Sequence, residues 1–106
     1  MHRFFAMITV LFLAKTAGAA DAWFLLSRED GCVAINLLMR MERLARAPRD
    51  PQDFAAMMRE RGHHVSVGLP DGFPPEFAGR AVMVRYRNDR APVFVREDLC
   101  RSLQNK

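Results

Sequence analysis

Residues 81–100 read AVMVRYRNDRAPVFVREDLC, and the fold depends on how this stretch divides. Two runs in which apolar and polar residues alternate, 81–87 and 92–96, flank the polar segment 88–91. That pattern predicts a β-hairpin. With a four-residue loop, Arg87 stands opposite Pro92, Tyr86 opposite Val93, Arg85 opposite Phe94, and Met83 opposite Arg96. Side chains along a strand alternate between faces, so register decides which residues share a side. Val82, Val84, Tyr86, Val93 and Val95 then form a core face. Met83, Arg85, Arg87, Phe94 and Arg96 form an outer face. Guanidinium groups beside an outward phenylalanine suit cation–π contact and partner docking. Arg85, Arg87, Phe94 and Arg96 are therefore the predicted binding residues. The same face equally fits a solvated surface with one ring covered by arginine stems.

The stretch closes on Arg-Glu-Asp-Leu-Cys at 96–100, which echoes Arg-Glu-Asp-Gly-Cys at 28–32. Carboxylates in the first turn of a helix accept unpaired amide hydrogens and offset the positive end of the helix dipole. Both Glu-Asp doublets are read as such helix starts. A hard-cation or acid/base site at Glu29, Asp30, Glu97 and Asp98 would need the two copies to converge. The spacing does not resemble a calcium loop, and capping accounts for both copies.

Upstream, the chain opens with His2 and Arg3, an apolar run over residues 4–14 with Thr9 its one polar member, and small residues toward 22. This is the layout of a secretory signal peptide, with Ala17-Gly18-Ala19 as its cleavage motif. The run of 11 residues is well short of the roughly 20 needed for a spanning helix. The expected organisation is a signal peptide at 1–19 and a single domain at 20–106, exported to the periplasm or beyond. Without Arg3 and Lys15, 14 basic residues face 12 acidic ones, a net charge of +2. That modest charge and the export signal both oppose a nucleic-acid partner.

A domain of this length often needs a covalent staple. In an oxidising compartment Cys32 and Cys100, the two cysteines of the chain, are expected to pair. Closing so long a loop stabilises a fold by roughly 4 kcal/mol in the chain-entropy description. Catalytic dithiols sit in Cys-x-x-Cys, a motif this chain lacks.

Between the cysteines, residues 23–26 are four large apolar residues, as in a central strand. From Gly31, the positions Ala34, Leu37, Leu38, Met41, Leu44 and Ala45 recur at helical spacing. Residues 32–36 also suit a strand hairpinned to 23–26. Asp50-Pro51 starts a second helix, with Phe54, Met57 and Met58 on its apolar side and Gly62 at its exit. Residues 65–69 alternate as a strand, and Leu99 and Leu103 mark a last helix. The order β-α-α-β-β-β-α predicts an α+β fold: an antiparallel sheet with helices packed on one face.

Catalytic motifs are absent: there is no Gly-x-Ser-x-Gly, His-Glu-x-x-His or phosphate loop. No enzyme, cofactor or metal site is predicted. Met39, Met41, Met57, Met58, His63 and His64 have the donor chemistry for copper. Met39 and Met41, however, lie about 200° apart around a helix. The leading expectation is a small exported binding or accessory domain that docks a protein or an anionic envelope component. A copper-binding periplasmic protein is the alternative.

Overall fold

The computed structural model describes residues 22–104. The predicted signal peptide and the domain boundary at residue 20 lie outside that range. Strands β1 (Trp23–Ser27) and β2 (Gly31–Val33) are followed by helices α1 (Asn36–Met41) and α2 (Pro51–Glu60). Strand β3 (Ser66–Gly68), a 3-10 turn (Pro75–Phe77), strands β4 (Ala81–Arg85) and β5 (Val93–Arg96), and helix α3 (Glu97–Gln104) complete the chain. The five strands form one sheet in the order β2-β1-β5-β4-β3, and every pairing is antiparallel. The α+β class and the expected order of elements hold, and β2 is the strand that the alternative reading of residues 32–36 hairpins to 23–26.

That strand takes the place of the expected start of the first helix. A turn at residues 28–30 joins it to β1, and the Ser27 hydroxyl accepts the backbone N–H groups of Glu29 and Asp30. Gly31 leaves the turn at φ +73°, a conformation side chains disfavour. The first Glu-Asp doublet is thus a hairpin turn and not a helix start. The second, Glu97-Asp98, does occupy the first turn of α3.

Sheet pairing sets Leu25 beside Phe94 and Val82 beside Phe94, so these side chains share a face. Helices α1 and α2 cover that face, burying Leu38, Phe54, Ala55 and Met58 against Leu25, Val84, Tyr86 and Phe94. Phe54 meets Tyr86 edge-on at 5.4 Å and Phe94 at 5.7 Å. The opposite face holds Ala81 and Val95, which pack with Leu99 and Cys100 of α3 and with Phe24 and Leu26. The expectation that the helices share one face is therefore corrected. Trp23-Phe24-Leu25-Leu26 and Val93-Phe94-Val95 are apolar without alternation, so both faces of these central strands need cover.

Cys32 and Cys100 form a disulfide pair with Cα atoms 6.0 Å apart, within the usual range for such bonds. The pair ties α3 to β2, an edge strand, across the second face.

Helix α2 begins as its sequence indicates. The Asp50 carboxylate accepts the Asp53 N–H at 2.7 Å, and Pro51 occupies the first helical position. Both α1 and α2 end in Schellman motifs. At the end of α2, the Gly62 N–H donates to the Arg59 carbonyl (2.9 Å) and the His63 N–H to that of Met58 (3.1 Å). At the end of α1, Arg43 fills the left-handed position at φ +55°. There the Leu44 N–H donates to the Met39 carbonyl at 2.9 Å. Of the expected apolar stripe on the first helix, Leu38 and Leu44 are buried, whereas Leu37 and Met41 are exposed. The helix starts later than its periodicity suggests and ends within two turns, so it cannot bury the whole stripe.

Candidate anion-binding cleft

The hairpin between β4 and β5 controls the site. Arg87 bridges Arg90 around Asn88 and Asp89, which makes a two-residue loop. Farther along, Met83 pairs with Val93. From one pair to the other the first strand advances four residues and the second three, which is a one-residue bulge. Shortening the loop from four residues to two shifts partners by an even number and keeps the faces. The single bulge residue shifts them by an odd number and exchanges the faces of β5 relative to β4. The expected register is corrected accordingly.

The four predicted binding residues are consequently separated. Phe94 is fully buried and lies within the core instead of on an outer face. Arg96 stacks over the Trp23 ring at 4.7 Å, beside its cross-strand partner. Arg85 and Arg87 remain together, at one cleft of about 510 Å³ next to the hairpin tip. His63, His64, Ser66, Tyr86 and Asn88 line it with them.

Turn geometry, strand register and a long-range hydrogen bond place three of the lining groups. The left-handed turn at Gly62, φ +92°, directs the chain out of α2 so that His63 packs edge-on against Tyr86, with ring centroids 5.4 Å apart. Ser66 is held beside Arg85 by the β3–β4 register. Tyr86 is anchored from behind, since its hydroxyl donates to the Glu42 carboxylate. That carboxylate also accepts Arg90 Nη1 at 2.8 Å. Burial and the adjoining Glu42 carboxylate hold the Tyr86 phenol well above the ordinary range, so it stays protonated. Arg61 ties the ends of the two helices together, donating to the backbone carbonyls of Glu42 (2.8 Å) and Arg43 (3.1 Å).

The electrostatics of the cleft are one-sided. Two arginines and two histidines line it, and no carboxylate does. Arg85 reaches Asp71 at 3.4 Å and Arg87 reaches Asp89 at 3.5 Å, but both acids are largely exposed. Exposed pairs of this kind are worth about 0–1 kcal/mol, so either guanidinium can exchange its partner for a ligand. Guanidinium forks, imidazoles and hydroxyl or amide donors together match phosphate or carboxylate oxygens.

The copper donors are dispersed. His63 and His64 share the cleft, Met58 is buried in the core and Met41 is exposed, and Met39 and Met57 pack partly buried against the core. Among the described residues no three His, Cys, Asp or Glu side chains converge as a metal site. Nor is any described helix long and apolar enough to cross a membrane.

Sequence reasoning missed Tyr86 and Asn88 as cleft residues and did not bring the two histidines together with Arg85 and Arg87. Asn88 and Asp89 favour turns in general, which marks the polar tip at 88–91 but does not select a two-residue loop. No comparable signal links Glu42 to Tyr86 and Arg90, which lie 44 and 48 residues away. Neither a family model, a curated protein nor a solved structure matches this chain.

Proposed function

We propose that the protein is an exported binding domain that holds an anionic envelope component in the cleft formed by His63, His64, Arg85 and Arg87. One observation carries this reading: a cavity of about 510 Å³ whose charged lining groups are all basic. The Cys32–Cys100 pair fits the oxidising compartment to which the N-terminal leader would deliver the chain.

The test is titration of the mature chain, residues 20–106, with vesicles containing phosphatidylglycerol and with phosphatidylcholine vesicles as control. Binding is expected to the anionic vesicles alone and to weaken as salt rises, because exposed charges are screened. Each arginine near an anionic surface contributes roughly 1 kcal/mol, so the Arg85→Ala/Arg87→Ala double variant should bind about thirtyfold less tightly. Equal binding to both vesicle types, or an unchanged double variant, would overturn the reading. Capture of one partner protein from an envelope extract, abolished by the same variant, would instead assign the cleft to an acidic protein surface. Mass spectrometry of the exported protein should place its first residue at Ala20 or within a few residues of it.

A further inference from the structure

A second cavity lies on the β1–α1 side of the molecule, and it has the opposite character. It measures about 290 Å³ and is lined by Leu26, Leu37, Leu38 and Met41, with Glu29 and Asp30 also on its wall. Leu37 and Met41 are 38% and 55% exposed and are the large hydrophobic side chains most open to solvent among the described residues. They stand one turn apart on α1, as i, i+4 neighbours on one helix face. Leu38, between them, turns inward and is buried. The apolar floor is thus continuous with the core and opens outward.

The turn that carries the acids is fixed in place. Ser27 Oγ accepts both of their backbone N–H groups and holds the 28–30 turn closed. Neither carboxylate forms an ion pair among the described residues. The volume falls just under the range of about 300–1,000 Å³ typical of small-molecule sites, so the cavity suits one anchoring side chain better than a whole cofactor. A flexible methionine at the mouth lets such a site adapt to its anchor. Charge complementarity then selects the neighbours of the anchor.

We infer that this pocket docks a short segment of a partner protein in which a large apolar side chain is flanked by lysine or arginine. The pocket is separate from the basic cleft: the two share no lining residue, and their ligands have opposite charge.

The probes are two capped hexapeptides, Gly-Lys-Leu-Leu-Lys-Gly and Gly-Glu-Leu-Leu-Glu-Gly, titrated into the mature protein while leucine and methionine methyl resonances are followed. The lysine peptide should shift the Leu37 and Met41 methyl signals saturably. The glutamate peptide should bind at least about tenfold more weakly, since like charges meet at Glu29 and Asp30. Met41→Asp changes an exposed side chain, and it should abolish the Leu37 response while the fold persists. Glu29→Lys/Asp30→Lys should invert the preference between peptides. Absence of a saturable shift in the millimolar range, equal affinity for both peptides, or an unaltered response in Met41→Asp would overturn the inference.

Discussion

The ring of Phe54 on α2 lies 5.7 Å from that of Phe94 on β5, and both side chains are fully buried. This contact locks the helical layer to the centre of the sheet, and it exists only because the hairpin bulge brings Phe94 to the face of Val82 and Val84. It sets the first expected outcome. Phe94→Ala should destabilise the domain by about 3–5 kcal/mol, the usual loss for a buried aromatic. Denaturant unfolding measures it. An exposed ring would lose little, so a change below about 1 kcal/mol would restore the outward register.

The disulfide pair joins an edge strand to the last helix, enclosing most of the domain. Reduction, or Cys32→Ala/Cys100→Ala, should lower stability by about 2–4 kcal/mol, read as a lower melting temperature. Loss should concentrate at α3 and β2, since Leu99 and Cys100 supply much of the packing on that face. Hydrogen exchange resolved by residue would locate it.

Asp53 gathers Arg46 Nη1 and Nη2 at 2.7 and 2.9 Å and the Arg49 N–H at 2.8 Å. The hydrogen bond from Arg46, and then that from the Arg49 backbone, hold its carboxyl well below the ordinary carboxylate range. A lowered folded-state pKa stabilises the fold above the unfolded-state value and is lost as pH falls through the folded one. Stability should therefore decline from about pH 4 downward. Asp53→Asn should cost about 1–2 kcal/mol at neutral pH and flatten that acid limb. Unfolding curves at a series of pH values test both parts.

Arg43 sits at φ +55°, where a side chain costs about 1–2 kcal/mol. Its carbonyl accepts Arg61, a bond that any residue would preserve. Arg43→Gly should raise stability by roughly 0.5–1 kcal/mol after the greater entropy of glycine in the unfolded chain is counted. A destabilised variant would show that the arginine side chain holds the end of α1.

Several features of the fold follow from short stretches of sequence. Asp50-Pro51 starts α2 because a carboxylate cap and a preset φ act within one turn. Four consecutive apolar residues at 23–26 mark a central strand. Two cysteines in an expected oxidising compartment leave one intramolecular pairing. The α+β class and the order of elements came from such local signals.

The faces of the sheet did not. Val93-Phe94-Val95 is apolar at every position, so either register of β5 buries large side chains and alternation alone cannot choose. The choice was made by tertiary packing: Phe54 receives Phe94 on one side, and Leu99 and Cys100 receive Val95 on the other. Residues 31–33 became a strand for the same kind of reason, because β1 offered an edge and α3 a disulfide partner. The cleft likewise depends on the bulge and on Glu42 reaching Tyr86 and Arg90 across 44 and 48 residues. A local pattern is set by the dihedral preferences and spacing of neighbouring residues, whereas register parity and distant contacts are set by which packing buries the most apolar surface.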